Sequence, residues 1–387
     1  MGLGSRPRAR VVREPLPNQA SGRKALHGAL SCALPSNACS LIQLQKWIVA
    51  MRISHMKYAA APSIAVLLFT SCAGGSPTLT MQQGQSQVGK QGRSPCPCLY
   101  ATNNGSVTVY ARRAQRGDVT PIQDISGAST GLTNPVYIAV DSSGNMYVLN
   151  HTEQADSVEV FAAGATGNVA PIATISGSST GLTDSRSIAL DPVNGDIYVT
   201  NAYPSNSVTI YAPGSDGNVA PLGTIEGYRT GLNYPYGLAL DQTGNVYVSN
   251  FIADSITVYA AGSTGNVAPT RTIAGSYTQL SLPYALALDS SGNMYVDDLI
   301  GNRRDNYLTV YAAGSNGNVA PIQKLSLTKP YDPLGIAVDG SDNMYVSSIV
   351  NSRVLVYAAG ATGDASPIRT IKGPNTGLNG TQGLAIK

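Results

Sequence analysis

A repeat of about 50 residues is the feature that most constrains how this 387-residue chain can fold. The phrase Ile138-Ala-Val-Asp141 returns in four later copies, and the Asp positions lie 50, 50, 48 and 50 residues apart. These residues are Asp141, Asp191, Asp241, Asp289 and Asp339. A second phrase, typified by Ser207–Tyr211, and a third, typified by Gly217–Pro221, follow in most copies. A structural unit repeated at this period indicates a solenoid or a propeller.

Each repeat is predicted to form four short strands, called a to d, because β-branched and aromatic residues dominate four short segments. In one copy these segments are Ile138–Val140, Met146–Val148, Ser157–Phe161 and Pro171–Ile175. The Asp after strand a is predicted to cap a tight a–b turn, where Asp hydrogen-bonds the backbone and Gly supplies positive φ. Four-stranded units at this period are typical of propeller blades.

The two ends of the repeat region favour a ring over a solenoid. The first copy begins at a strand b, Leu99–Asn103, and the last stops at a strand a, Gly383–Ile386. Together they complete one blade, which removes the open edges of a linear array. The strand b copies are at Tyr100, Tyr147, Tyr198, Tyr247, Tyr295 and Tyr345. The sequence therefore predicts an all-β fold: a six-bladed β-propeller of four-stranded blades over residues 99–387, closed by the C-terminal strand joining the N-terminal blade.

The repeat also resembles a known group of propellers. The pattern Gly-Leu-Ala-Leu-Asp followed by Gly-Asn-Val-Tyr-Val-Ser-Asn, within Gly237–Asn250, is similar to the NHL and YVTN-type repeats. The resemblance covers residues 99–387 and implies the fold, but it says little about function because such rings serve many roles. The chain differs from WD-type propellers, since residues 99–387 contain no Trp.

An export signal is predicted at residues 56–72. The basic Met56-Lys57 is followed by the apolar stretch Tyr58–Phe69, which is too short to span a bilayer as a helix. The stretch Leu68–Cys72 resembles the bacterial lipobox, with Phe69 in place of the usual Leu, and this resemblance implies that Cys72 is acylated. Ordinary signal cleavage and a buried helix with a core Cys are the alternatives.

The segments around this signal are predicted to lie outside the folded domain. Residues 1–55 are interpreted as a disordered upstream extension that is not translated, because a signal normally begins the chain. Residues 73–98 are rich in Gly, Ser, Gln and Pro and are predicted to form a flexible tether. The pair Cys96 and Cys98 is expected to be exposed. The expected location is the cell envelope, lipid-anchored and facing the periplasm or the surface, or else secretion.

The charge distribution argues against nucleic acid as a partner. Residues 1–98 hold 11 of the 25 basic residues and one acid, Glu14, so residues 99–387 hold 14 basic and 21 acidic residues. A phosphate-binding face would need the opposite sign. The chain is expected to be a monomer that contacts a membrane through its lipid anchor only.

The two ends of the predicted ring differ in how much their loops vary. The a–b turns and the c–d connections are nearly uniform and are interpreted as scaffold; we call their end of the ring the uniform face. The d–a and b–c connections vary in length and sequence, and we call their end the variable face. Variation confined to one end marks the candidate binding face.

Two sets of residues are predicted to line the variable face. The first ends strand b: Asn103, Asn150, Asn201, Asn250, Asp298 and Ser348. It forms either a polar annulus for a ligand or, as we favour, a set of caps for the blade's own loops. The second precedes strand a and includes Arg186, Tyr236 and Tyr284; the two Tyr residues either offer a stacking surface or pack into the loops.

The function predicted from these observations is a binding or interaction module for an unidentified protein, peptide or glycan, with no cofactor. The alternative is a metal-dependent hydrolase similar to regucalcin and gluconolactonase, which would need Ca or Zn. Only three Glu lie in residues 99–387, and the remaining polar candidates are His151, Glu153, Asp297 and Asp298. We therefore assign no catalytic and no metal residues. A structural component of the envelope or matrix is the second alternative.

Overall fold

The structure is a computed structural model that describes residues 98–111, 117–153, 155–299, 306–327 and 334–387. The predicted upstream extension, the signal with Cys72 and all of the tether except Cys98 lie outside these residues. In the described part of the chain, no helix is long and apolar enough to cross a bilayer.

The described residues form 24 strands and three short 3-10 helices. The first twelve strands are β1 (Cys98–Asn103), β2 (Ser106–Ala111), β3 (Gln123–Ser126), β4 (Pro135–Val140), β5 (Met146–Asn150), β6 (Ser157–Phe161), β7 (Ala173–Ser176), β8 (Ser185–Leu190), β9 (Ile197–Asn201), β10 (Ser207–Tyr211), β11 (Gly223–Ile225) and β12 (Pro235–Leu240). The other twelve are β13 (Val246–Asn250), β14 (Ser255–Tyr259), β15 (Arg271–Ala274), β16 (Pro283–Leu288), β17 (Met294–Asp298), β18 (Tyr307–Tyr311), β19 (Gln323–Ser326), β20 (Ile336–Val338), β21 (Met344–Ser348), β22 (Arg353–Tyr357), β23 (Arg369–Ile371) and β24 (Leu384–Ile386). The 3-10 helices are Ala128–Thr130, Ser276–Thr278 and Pro374–Thr376.

The strands form six antiparallel sheets of four strands each, which are the blades. Blade 1 has the order β24-β1-β2-β3, and blades 2 to 6 each take four consecutive strands from β4 to β23. The innermost strands contact one another in the cyclic order β4, β8, β12, β16, β20 and β24, and β24 contacts β4 again. The six-bladed propeller predicted from the sequence is therefore confirmed, and the solenoid is excluded.

The predicted closing strand pairs as expected. In blade 1, Leu99 lies opposite Ile386 and Ala101 opposite Leu384, in antiparallel register. The Cys98 N–H donates to the Lys387 carbonyl at 2.9 Å, and Thr102 N–H donates to the Gly383 carbonyl at 3.0 Å. Head and tail of the repeat region are thus held in one sheet.

Cys98 corrects one expectation about the tether. It is the first residue of β1 and is fully buried, so it belongs to the propeller and is not part of an exposed cysteine pair. Strand β1 begins one residue earlier than predicted because Cys98 still finds backbone partners in Ala111 and Lys387. Burial in the inter-blade core is the ordinary environment of a Cys side chain.

The uniform c–d connections have a structural task that explains their repetition. Each one crosses to the preceding blade and forms a parallel bridge with its outermost strand, as Gly167 does with Ile125 and Gly217 with Ile175. The adjoining Asn168 accepts the Ser129 N–H at 2.7 Å. The same bridge from Gly117 to Ile371 joins blade 1 to blade 6. Each outer edge is thereby paired, which blunts strand-to-strand aggregation.

The repeated Asp residues cap the a–b turns as predicted. In blade 4, Asp241 Oδ1 accepts the N–H groups of Thr243 and Asn245, both at 3.0 Å. Its Oδ2 accepts from Asn245 Nδ2 at 2.9 Å and from the Tyr247 hydroxyl at 3.1 Å. Glycines such as Gly244, with φ 83°, complete the turn. The carboxylates are therefore committed to the turns that hold them.

Candidate functional site

The ring of polar residues at the end of strand b is buried. Asn103, Asn150, Asn201, Asn250, Asp298 and Ser348 are each between 0% and 4% exposed. Asn201 is typical: its Oδ1 accepts the Thr183 N–H at 3.2 Å and the Ser185 hydroxyl at 2.8 Å, and its Nδ2 donates to Thr209 Oγ1 at 3.1 Å. These hydrogen bonds hold the d–a loop against the blade. The Asn201 amide group is therefore buried within the blade.

The hydrogen-bond network around Asn201 also includes the aromatic residue that ends strand c. The Tyr211 hydroxyl contacts Thr209 Oγ1 at 3.1 Å and donates to the Thr180 carbonyl at 2.6 Å. Blades 1, 4 and 5 repeat the Tyr-to-carbonyl bond through Tyr110, Tyr259 and Tyr311. These Tyr residues therefore anchor the d–a loops, which fixes the base of the variable face.

Two blades replace this neutral network with a buried carboxyl group. In blade 5, Asp298 occupies the position at which most blades have Asn. Burial raises its pKa to about 7, although the hydrogen bonds from Thr309 and Ser281 act to lower it. In blade 2, Glu159 and Phe161 replace the Thr and Tyr of the network, and burial raises the pKa of Glu159 to about 7 although Ser157 donates to it. Both side chains are almost completely buried inside the blades.

Aromatic side chains close the central channel at the variable face. Tyr236 is 3% exposed, and its ring centroid lies 4.4 Å from that of Tyr284 and 4.9 Å from that of Phe251. The Arg186 guanidinium carbon lies 5.1 Å from the Tyr236 centroid, within cation–π range. We call Arg186, Tyr234, Tyr236, Phe251 and Tyr284 the plug.

The plug contains the second set of residues that was predicted to line the variable face. Arg186, Tyr236 and Tyr284 do converge, but they pack on one another and do not offer open rings for stacking. The cavity that remains between Arg186, Tyr284 and their neighbours measures about 20 Å³, room for no more than about one water. Burial raises the pKa of Tyr236 far above its usual value, so its hydroxyl stays neutral.

A charged cluster lies beside the plug, where blades 2 and 3 meet. His151 Nδ1 lies 2.7 Å from Asp156 Oδ1, and His151 Nε2 lies 3.8 Å from Asp184 Oδ1. Asp184 is also in close contact with the Arg186 guanidinium. We call His151, Asp156, Asp184 and Arg186 the charged cluster. It brings together the predicted candidates His151 and Arg186 with two carboxylates that the sequence reasoning missed.

Asp156 has a positioning role in this cluster. Its Oδ2 accepts the Ser185 N–H at 2.7 Å, so it clamps the b–c loop of blade 2 to the next blade. Burial opposes its ionisation, but the hydrogen bonds from His151 and Ser185 hold the pKa of Asp156 below its usual value. Asn206 and Asp254 make a similar bond in the next two blades, accepting the N–H groups of Tyr234 and Leu282, which lie one residue before the innermost strand. Comparison of the repeats at this position would have revealed the clamp.

The partly exposed groups of the charged cluster are suited to hydrogen bonding with a partner. The side chains of His151, Asp184 and Arg186 are 12%, 20% and 16% exposed. A carboxylate and an imidazole at a surface accept bonds from hydroxyl and amide groups, and a guanidinium donates them. On the same face Tyr203, in the b–c loop of blade 3, is 67% exposed. This Tyr supplies apolar contact area.

The potential metal ligands among the described residues are scattered. No group of three or more His, Cys, Asp or Glu side chains in the described part of the chain is arranged to hold a metal ion. Asp297 is 1% exposed within β17, and Glu153 lies exposed in the b–c loop of blade 2. His151, Glu153, Asp297 and Asp298 therefore come from two blades and differ widely in burial.

Comparison with known proteins identifies the architecture. No family model and no curated protein matches the chain. A solved protein of unknown function from Bacteroides caccae is 10% identical, with a TM-score of 0.52 over 75% of this chain and 98% of the other. A putative 6-phosphogluconolactonase from Bacteroides fragilis is 12% identical, with a TM-score of 0.50 over 76% of this chain and 99% of the other. At these identities the likeness shows the propeller fold alone.

Proposed function

We propose that this chain is an exported binding module of the NHL and YVTN type whose variable face engages a protein, peptide or glycan. The observation that carries the proposal is the close packing of the plug in the described part of the variable face. The cavity of about 20 Å³ between Arg186, Tyr284 and their neighbours is far below the several hundred Å³ that enclose a small-molecule substrate. The partly exposed polar groups of the charged cluster and the exposed Tyr203 instead lie on the same face, as in a contact site for a large partner.

The arrangement gives each group a role in recognition. Asp156 orients His151, and Arg186 orients Asp184, so both acceptors are preorganised before a partner arrives. Tyr203 supplies an aromatic anchor of the kind that dominates binding energy at protein interfaces. The plug beneath them is closely packed, which limits rearrangement on binding.

Changing the exposed side chain of Tyr203 tests this function. We expect the Y203S variant of the expressed protein, used as bait in cross-linking capture from cell envelopes, to lose its enriched partner at least about tenfold. The matched control is Ile172→Ser, which alters a 62% exposed apolar side chain just before β7, away from the variable face. Quantitative mass spectrometry and a glycan array read out the two partner classes. Equal capture by both variants would refute a partner site at Tyr203.

The membrane attachment is part of the proposal. We propose that Cys72 is acylated and that residues 73–97 tether the propeller to a membrane, which supports a location in the cell envelope. Metabolic labelling with an alkyne-bearing palmitate is expected to mark the wild type and to leave the Cys72→Ala variant unlabelled. Unchanged labelling of that variant would eliminate the anchor, whereas the partner site on the variable face would stand.

A further inference from the structure

One d–a loop of the variable face lacks the hydroxyl group that holds its counterparts. In blades 1, 3, 4 and 5, a Tyr hydroxyl donates to the carbonyl of a Thr in the d–a loop: Thr376, Thr180, Thr230 and Thr278. The equivalent Thr of blade 2 is Thr130, which is fully buried. Blade 2 has Phe161 at the Tyr position and Glu159 two residues earlier, so its strand c has no Tyr hydroxyl for the Thr130 carbonyl.

The Glu159 side chain packs against this same loop. Its Oε1 accepts the Ser157 hydroxyl at 2.6 Å. A Cβ placed on Gly131 would lie 3.7 Å from Glu159 Cγ and from Oε1, a contact that the strand c Thr makes in blades 3 and 4. Glu159 Oε2 is buried and has no hydrogen-bond partner among the described residues. Buried polar groups are nearly always hydrogen-bonded, so both Oε2 and the Thr130 carbonyl require a donor.

A proton on Glu159 supplies that donor. An ionised carboxylate only accepts hydrogen bonds, whereas a protonated carboxyl group also donates one. Burial raises the pKa of Glu159 to about 7, although the hydrogen bond from Ser157 acts to lower it. The protonated form of Glu159 therefore persists to a pH at which an exposed Glu is fully ionised.

The described surroundings of Glu159 hold no charged side chain that faces it. Glu159 shares a face of blade 2 with Phe161, which packs against blade 1 in a core cluster that includes Cys98 and Tyr100. The loop of residues 127–134 and strand β7 carry no titratable side chain. The other titratable residues on adjoining elements point to blade 3, to blade 6 or to solvent: Tyr110, Asp124, Tyr147, His151, Glu153 and Asp156.

We propose that Glu159 is a pH switch for the d–a loop of blade 2: the protonated side chain donates to the Thr130 carbonyl and holds residues 127–134 against the blade, and ionisation releases them. The loop ends at Asn134, whose Nδ2 donates to the His151 carbonyl at 2.8 Å and whose carbonyl accepts the His151 N–H at 3.0 Å. Release of the loop therefore loosens His151 in the charged cluster. That consequence for a partner rests on the proposed function, whereas the switch itself does not.

The sign of the pH dependence follows from the direction of the pKa shift. Burial raises the pKa of Glu159 from 4.5 to about 7, so the closed loop binds the proton more tightly than an open loop that exposes the carboxyl group. Closure of the loop is therefore most favourable below about pH 4.5, weakens as the pH rises to about 7, and changes little above it.

Amide hydrogen exchange of the expressed protein at pH 5 and pH 8 measures the opening of the loop. The Leu132 N–H, which donates to Thr130 Oγ1 at 3.2 Å, reports on blade 2. The Leu182 N–H, which donates to Thr180 Oγ1 at 3.3 Å, reports on the equivalent loop of blade 3, which Tyr211 holds. After correction for intrinsic exchange rates, we expect Leu132 to accelerate at least about tenfold more than Leu182 between the two pH values.

Three variants separate the switch from a general effect of pH. Glu159→Gln offers a donor at every pH and is expected to abolish the extra acceleration of Leu132. The double variant Glu159→Thr with Phe161→Tyr restores the hydrogen bonds of the other blades, so it is expected to do the same and to fold as they do. Glu153→Gln is the matched control, because it removes an exposed Glu from the same blade and should keep the wild-type response.

Three results would overturn the switch. They are a wild type whose two loops respond equally to pH, an extra acceleration that persists in either variant at position 159, and a response that is lost in E153Q. None of these measurements needs a partner, so the loss or survival of partner capture in the Y203S variant has no bearing on them.

Discussion

Replacing Gly335 with Ala is expected to destabilise the propeller by about 3 kcal/mol, near the upper end of the usual cost of overpacking. Gly335 lies directly before β20, and a Cβ placed there would meet the Gln382 carbonyl oxygen at 2.2 Å. That oxygen belongs to the backbone of the next blade and already accepts the Ser347 hydroxyl at 2.5 Å. It cannot retreat without loosening the contact between blades 6 and 1.

The control for this prediction is Gly340→Ala, five residues along the same chain segment. Gly340 lies in the exposed a–b turn, outside the left-handed region, and a Cβ there would meet nothing within 4 Å. We expect its stability to change by less than about 1 kcal/mol, and in the stabilising direction. Urea unfolding of both variants measures the difference. Equal unfolding midpoints would contradict the close inter-blade approach at Gly335.

Replacing Asp298 with Asn is expected to stabilise the protein at pH 8 by up to about 4 kcal/mol, at about 1.4 kcal/mol per unit of pKa. Burial raises the pKa of this carboxyl group from 3.8 to about 7 in the folded protein. The folded state therefore holds the proton more tightly than the unfolded state. The stability linked to Asp298 is complete below about pH 4, falls as the pH rises to about 7, and is then lost.

Asn can keep both hydrogen bonds of Asp298 without the charge. Asp298 accepts from Thr309 Oγ1 at 2.6 Å and from the Ser281 N–H at 3.2 Å. In blade 4, Asn250 occupies the same position, donating to Thr257 at 3.1 Å and accepting from the Asn233 N–H at 3.1 Å. We therefore expect the D298N variant to match the wild type near pH 4 and to exceed it at pH 8.

The same substitution in an a–b turn should have the opposite sign. Although partial burial opposes ionisation, hydrogen bonds from Asn245 and Thr243 hold the pKa of Asp241 below its usual value, so its charge stabilises the fold at pH 8. D241N is expected to be less stable than the wild type there. Denaturant unfolding at pH 4 and pH 8 compares the three proteins. A D298N variant that loses stability at pH 8, as D241N does, would disprove the buried-charge account.

The repeat by itself determined the fold class, the blade number and the closure of the ring. Those properties follow from local patterns: short β-branched strands, Asp-capped turns, and a first and last repeat that are each half of a blade. Recurrence in five blades also identified the turn Asp residues correctly. Each such residue contacts its own blade or the next one, so its environment is copied with the repeat.

The tertiary structure decided what lies at the two ends of the central channel. There, single residues from different blades converge, and their distances depend on the tilt and spacing of all the blades together. Arg186, Tyr236 and Tyr284 pack together at one end, whereas Leu240, Leu288 and Val338 line a cavity at the other. The position of Gly335 is Ala285 in blade 5 and Gly383 at the chain end. The sequence does not show at which of these positions a Cβ can be accommodated, because the gap between neighbouring blades is set by packing across the ring.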